Sequence, residues 1–324
     1  MKILIRADAS SRIGHGHIMR DLVLARQLAG KHELIFATMD LPGNINNKIG
    51  QSEFPLHILA SNSTDELIAL IRLLGIDMVV FDHYGVDEHF EKEIKERSAV
   101  KILSFDDTYE RHHCDILLNH NPGADEKRYS GIVPENCVKL CGTRFTLIRD
   151  EFKDFVKKRV QKVSKDEKLG ILVMMGGSDP LNVTYETAKE LSKNRNYQLS
   201  LVTTTSNVNL NRLRQLVKIH KNIVLHVNST KISQLMQSAD LAIISPSVSA
   251  AEAMYMKLPF IAIQTADNQL AIFNYLRENR LPVIRQYNAN KLSLEVEKAV
   301  KNHANLVRRL HAFHFSTLSL EPYL

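Results

Sequence analysis

The sequence predicts an α/β protein of two doubly wound domains, each a parallel sheet with helices on both faces. Three observations carry that prediction. Short apolar runs alternate with helical patterns through both halves of the chain, a basic mixed-charge stretch at residues 149–168 separates the halves, and the alternation restarts at residue 169 with a strand, a glycine turn and a helix. With 324 residues there is enough chain for two domains of ordinary size. The expected organisation is a first domain over residues 1–150, a second over 168–290 and a helical tail over 291–324.

The first unit is an apolar strand at residues 3–5, a polar loop, and a helix whose apolar positions Ile18, Leu22, Ala25 and Leu28 recur at helical spacing. That loop lies at a strand's carboxyl end, where open α/β sheets bind ligands. Gly14 and Gly16 let the chain bend or a ligand approach the backbone, and His17 falls where free helix amides create partial positive charge. An imidazole so placed favours its neutral form, which can take a proton from water. A surface histidine beside two turn glycines accounts for the same spacing.

Further strands are expected at residues 33–37, 56–59, 77–81, 100–105 and 115–118. Ser63-Thr64-Asp65-Glu66 reads as a capping box opening a helix over 67–74, and residues 87–97 as an amphipathic helix. Asp82-His83-Tyr84-Gly85, Asp106-Asp107 and Asn119-His120-Asn121 each follow a strand, which brings three polar clusters to the edge that carries His17. Helix capping by Asp82 and Asp106 and turn chemistry before Pro122 are the structural alternatives. His112-His113-Cys114-Asp115 has the composition of a metal site, but adjacent residues cannot easily share one ion, so no metal is expected.

In the second half a strand over 169–175 leads through Gly176-Gly177-Ser178-Asp179-Pro180 into a helix over 182–193, with Asp179 suited to the N-cap and Pro180 to the first helical position. Glycines feeding a helix N-terminus make a phosphate cradle, or simply a helix cap. Strands over 199–203, 223–227, 241–244 and 260–263 follow, and Ser249-x-x-Glu252 fits a capping box. Glu252 placed at a strand end could instead accept hydrogen bonds from a ribose diol, with Asn268 and Gln269 donating to phosphate or sugar oxygens. Residues 291–314 read as a terminal helix with Leu292, Val296, Ala299 and Val300 on one face, packed across the domain junction.

The net charge of +6 is compatible with nucleic acid, a membrane surface or an anionic small molecule. The densest basic run, residues 153–168, is broken by acids and lacks the interleaved aromatics that stack bases, so it reads as a solvated helix and linker and no nucleic-acid partner is expected. No apolar run approaches the ~20 residues of a membrane helix. The N-terminus shows no signal-peptide pattern and Cys114, Cys137 and Cys141 form no disulfide framework, so a cytoplasmic protein without membrane insertion is expected.

Two doubly wound domains, the glycine turn, and a Ser-rich turn with a glutamate ahead of Asp267-Asn268-Gln269 together resemble two-Rossmann (GT-B-like) glycosyltransferases of the MurG group, with an interdomain cleft. Arg6-Ala7-Asp8, the Ile13–Asp21 stretch with Gly14, Gly16, His17 and Arg20, Asp82-His83-Tyr84-Gly85, the 103–107 run and the 113–119 run narrow the resemblance to the UDP-sugar hydrolases of pseudaminic acid biosynthesis. That resemblance implies a cofactor-free, metal-independent enzyme acting on UDP-2,4-diacetamido-2,4,6-trideoxy-β-L-altropyranose, a precursor for flagellin glycosylation, with contacts to enzymes of the same pathway as further partners. It assigns the water-activating base to His17 and the sugar region to Gly14, Gly16, Arg20, Tyr84, Asn268 and Gln269. Gly176, Gly177 and Ser178 would hold the pyrophosphate, and Ser249 and Glu252 the nucleoside. The chain departs from the family at His15, where relatives carry an apolar residue, and in a longer tail after Lys291. A UDP-sugar glycosyltransferase, a pyrophosphatase and a noncatalytic nucleotide or RNA binder are the competing readings.

Overall fold

A computed structural model describes residues 1–153, 168–315 and 320–324, so most of the basic 153–168 run lies outside the described residues. Two compact units emerge, one of residues 1–147 with 315–324 and one of residues 148–314.

In the first unit β1 (Lys2–Ala7), β2 (Glu33–Met39), β3 (Leu56–Leu59), β4 (Met78–Asp82), β5 (Lys101–Phe105), β6 (Ile116–Asn119) and β7 (Val138–Cys141) form a parallel sheet in the order β3-β2-β1-β4-β5-β6-β7. Its helices are α1 (Gly16–Leu28), α2 (Asn46–Gln51), α3 (Thr64–Leu74) and α4 (Glu88–Ser98). The period-two geometry of β1 sorts its side chains to both faces. Ile3 and Ile5 join Ile18, Leu22 and Leu28 of α1, while Leu4 joins Leu67, Ile68 and Ile71 of α3. A strand buried on both faces reads as a continuous apolar run, which is why the sequence shows it so clearly.

Local chemistry fixes the helix ends. The Ser63 hydroxyl accepts from the Glu66 amide as expected, but the Glu66 carboxylate reaches past Ser63 to the Ala60 and Ser61 amides, at 2.8 and 2.9 Å. Only one arm of the capping box therefore forms. Asp87 caps α4 through the Phe90 amide at 2.9 Å.

The second unit opens with the short α5 (Asp150–Lys153) and builds a six-stranded parallel sheet from β8 (Leu169–Met174), β9 (Tyr197–Thr203), β10 (Ile223–Val227), β11 (Leu241–Ile244), β12 (Phe260–Ile263) and β13 (Val283–Ile284), in the order β10-β9-β8-β11-β12-β13. The helices α6 (Val183–Leu191), α7 (Leu210–Ile219), α8 (Ile232–Ser238), α9 (Val248–Tyr255), α10 (Leu270–Glu278), α11 (Ala289–Lys301) and α12 (His303–His311) follow in chain order. Asp179 and Pro180 sit before α6 rather than at its N-cap and first position, because the loop adds residues up to an N-cap at Asn182, whose φ is 58°.

Among the described residues after 290, α11 and α12 do not stand apart as a tail. Leu292, Val296 and Ala299 of α11 and Leu306 of α12 belong to the second unit's own core. Val300 is 39% exposed because it lies beyond the edge of that stripe on the helix. Residues 320–324 instead pack on the first unit: Leu320 is 1% exposed, Tyr323 meets the Phe145 ring at 5.7 Å, and Glu321 pairs with Lys31 at 2.9 Å.

Candidate active site

The turn after β1 brings His15 to the N-cap of α1 and His17 into its first turn. The two imidazoles are held differently. His15 Nε2 donates to the Gly43 carbonyl at 3.1 Å, whereas His17 is only 7% exposed and its Nδ1 finds no partner among the described residues. Gly14, at φ 86°, makes the tight return that permits this, its N–H donating to the Ser10 carbonyl at 2.8 Å. The Tyr84 ring meets the His17 ring edge-on at 4.8 Å, and its hydroxyl donates to both Asp107 oxygens at 3.2 Å. Burial lowers the His17 pKa; Asp82 and Asp107 oppose that, while Arg20 and His83 reinforce it. The neutral imidazole expected from the helix terminus is thus a result mainly of burial.

The three polar clusters do converge, and Arg20 is their hub. Its Nε donates to Asp82 Oδ2 at 2.5 Å and its Nη2 to Asp82 Oδ1, while Nη1 lies 3.5 Å from Asp107 Oδ2 and 3.2 Å from His120 Nε2. The guanidinium also lies 5.0 Å from the Phe105 ring centroid. Its fork is therefore engaged by side chains of the protein itself. Burial first, and then this cation, depress the His120 pKa to about 3. Asp21, the next residue of α1, is fully buried and neither carboxyl oxygen meets a donor among the described residues.

A second buried pair braces the strand ends. Asp8 accepts from Arg6 Nη1 and Nη2 at 2.7 and 2.9 Å, from His83 Nε2 at 3.0 Å and from the Met39 amide at 2.7 Å. Despite the cost of burial, these donors hold its carboxyl below the ordinary range. Asp106 is structural, accepting from the Thr108 and Tyr109 amides at 2.8 Å and from the Tyr129 hydroxyl at 2.7 Å. The His112–Asp115 run is likewise absorbed by the fold. Its His112 Nδ1 and the His113 amide donate to the buried Glu91, and Asp115 pairs with Lys95.

In the second unit the expected residues lie at the carboxyl ends of β8, β11 and β12. Gly176 takes φ 89°, open to L side chains only under strain, and the Gly176, Gly177 and Ser178 amides donate to no backbone carbonyl among the described residues. The helix behind them is already occupied. Asp179 accepts from the Val183 and Thr184 amides at 2.9 and 2.8 Å, so an internal carboxylate fills the α6 N-terminus, the helix-cap alternative of the two the sequence left open there. The N-cap of α9 is Ser247, which makes no side-chain cap hydrogen bond; the Ala250 amide donates to the Ser247 carbonyl at 2.9 Å, while the Val248 and Ser249 amides donate to no backbone carbonyl among the described residues.

Ser249 lies inside α9, and the Ser249-Glu252 capping box does not form. Glu252 is buried and its Oε1 accepts from Arg149 Nε at 2.7 Å, while Arg149 Nη1 reaches Glu151 at 2.6 Å. Burial raises the Glu252 pKa against the pull of Arg149. Asn268 is exposed; Gln269 folds back, its Oε1 accepting from the Thr265 amide at 2.8 Å and its Nε2 donating to the Thr265 hydroxyl at 3.2 Å. Sequence reasoning gave no role to Asp21, although it closes the Ile13–Asp21 stretch, or to Arg149, because each takes its meaning from a neighbour that only folding supplies.

No family model matches the chain. It is 39% identical over 287 residues to the UDP-2,4-diacetamido-2,4,6-trideoxy-β-L-altropyranose hydrolase of Campylobacter jejuni, across 89% of this chain and 100% of that protein. It is 21% identical to the spore coat polysaccharide biosynthesis protein SpsG of Bacillus subtilis, across 84% of this chain and 79% of SpsG. Among solved structures, Acinetobacter baumannii MurG superposes with a TM-score of 0.65 at 13% identity over 99% of this chain and 97% of its own. The spinosyn rhamnosyltransferase SpnG gives 0.64 at 10% identity over 97% of each chain. Both share the two-sheet glycosyltransferase fold.

Proposed function

This chain belongs to the UDP-2,4-diacetamido-2,4,6-trideoxy-β-L-altropyranose hydrolase family and is a hydrolase of a UDP-sugar; we propose that it cleaves that same altrose-configured sugar from UDP with inversion, as a step toward pseudaminic acid. The observation that carries the reading is the 39% identity over the whole length of a relative named for this hydrolysis. His17 is the base. It takes a proton from water as the water oxygen bonds to the anomeric carbon, and the bond from that carbon to the phosphate oxygen breaks with its electron pair leaving on UDP. Burial supports the role, since an imidazole with a lowered pKa is unprotonated when the reaction needs it.

Tyr84 sets the plane of the base by its edge-on contact, with Gly14 and Gly16 shaping the turn and Arg20 holding the surrounding carboxylates. Asn268 and Gln269 serve the sugar-phosphate region from the loop after β12. For the leaving group, Gly176, Gly177 and Ser178 offer loop amides, and the α9 N-terminus beside Ser249 offers the helix dipole that Asp179 has claimed at α6. Glu252 binds the ribose diol through Oε2, its Oε1 being engaged by Arg149. The enzyme acts in the cytoplasm and meets other enzymes of the same pathway there.

The deciding experiment runs the reaction in ¹⁸O-water with this UDP-sugar, reading label by mass and the first-formed anomer by NMR. Label in the free sugar, unlabelled UDP and an inverted anomer are expected. Label in phosphate would make the enzyme a pyrophosphatase, a retained anomer would require a carboxylate nucleophile, and turnover only with an added acceptor would make it a transferase.

A further inference from the structure

The residue left unexplained at the base is Asp21. Its side chain is fully buried, and neither oxygen meets a donor among the described residues. A carboxylate stripped of both water and donors is among the costliest groups a protein can bury, and it takes a proton instead. The group within its hydrogen-bonding reach is Asp82 of β4. Both Asp82 oxygens already face the Arg20 guanidinium in a two-pronged pair, so of the two carboxyls Asp82 keeps the charge.

We propose that Asp21 is a neutral carboxylic acid donating a hydrogen bond to Asp82, and that its proton leaves His17 beside a charge-balanced Arg20–Asp82 pair. The inference rests on His17 as the base, and it makes Asp21 a positioning residue that acts through Asp82. Burial and the Asp82 charge both push the Asp21 carboxyl well above its ordinary range, opposed only by Arg20 on its own helix. The charged or titratable groups around His17 are Asp82, Arg20, Asp107, His83 and His120, with the Tyr84 ring packed against it. An ionised Asp21 would add a second anion to the Arg20–Asp82 pair, raise the His17 pKa and load the base with a proton before water arrives. His120, kept neutral against Arg20, adds no charge to compensate.

Two readouts test this. Isotope-edited infrared spectra of the full-length enzyme should show the carbonyl stretch of a protonated carboxylic acid at about pH 7, absent in Asp21→Asn. The amide of Asp21→Asn has the shape of the neutral acid and can donate to Asp82, so its pH profile of kcat/KM should overlay that of the wild type. Asp21→Ala, which cannot donate, should lose roughly tenfold or more, the size of one hydrogen bond to a charged group. If Asp21 is instead ionised, Asn removes an anion and the acid limb moves to lower pH by about one unit. That shift, or a wild-type spectrum without the acid band at about pH 7, overturns the proposal. The infrared band needs no turnover, so it stands apart from any failure of His17 as base, which a fully active His17→Leu would reveal. Should Asp21→Asn not fold, the wild-type band still decides.

Discussion

His15 and His17 carry the same side chain two positions apart, and the fold gives them different work. His15 spends Nε2 on the Gly43 carbonyl, while His17 is buried against Tyr84 with its pKa lowered. His17→Leu should therefore reduce kcat by about 10²- to 10⁴-fold, and UDP affinity measured by calorimetry should be unchanged because the residues proposed for UDP belong to the second unit. His15→Leu should keep most of its activity; the opposite ranking of the two variants would reassign the base. His120 supplies a stability test. Its folded pKa is depressed, so as pH falls from about 6.5 the unfolded chain takes a proton that the native state refuses, and stability drops. In denaturant titrations between about pH 6.5 and 5, His120→Gln should flatten the slope of stability against pH by up to about 1.4 kcal/mol per unit, and an unchanged slope would mean that His120 does not titrate this way.

At the scale of elements, what could be read in the sequence was whatever the strand's burial wrote into it. The central strands β1, β4, β8 and β11 are buried on both faces and stand out as apolar runs between turn residues. The edge strands β7 and β13 escaped, one burying only a single side chain and the other being two residues long. The same limit applies to the site. His17 and Tyr84 announce themselves by the strands they follow, but the Arg20–Asp82 pair spans 62 positions and Arg149–Glu252 spans 103, distances over which no local pattern reaches. The α6 cap is an intermediate case, since Asp179 was legible as a capping residue but not as one reaching forward across a three-residue loop. Asp179→Ala should cost about 0.5–2 kcal/mol in chemical denaturation by releasing two helix amides. UDP affinity should not fall, because those amides were never offered to phosphate; a marked loss would return the pyrophosphate to α6.

On the scale of the whole molecule, the chain does not finish in the unit it has just built. After α12 completes the second unit's core, residues 320–324 return to the first, where Leu320 is buried with Ile3, Phe145 and Leu147. Tyr323 adds its ring contact with Phe145, and Lys101 Nζ donates to the Leu324 carbonyl. The segment is short, but emptying a Leu-sized site in a packed core costs about 2–5 kcal/mol, a large fraction of the margin of an ordinary domain. Removing residues 315–324 should accordingly lower the thermal transition of the first unit while leaving that of the second in place. UDP, which binds only folded protein, should go on raising the second transition in the truncated chain. Calorimetry with and without UDP separates the two, and equal shifts in both transitions, or none, would mean that the last residues do not serve the first unit alone.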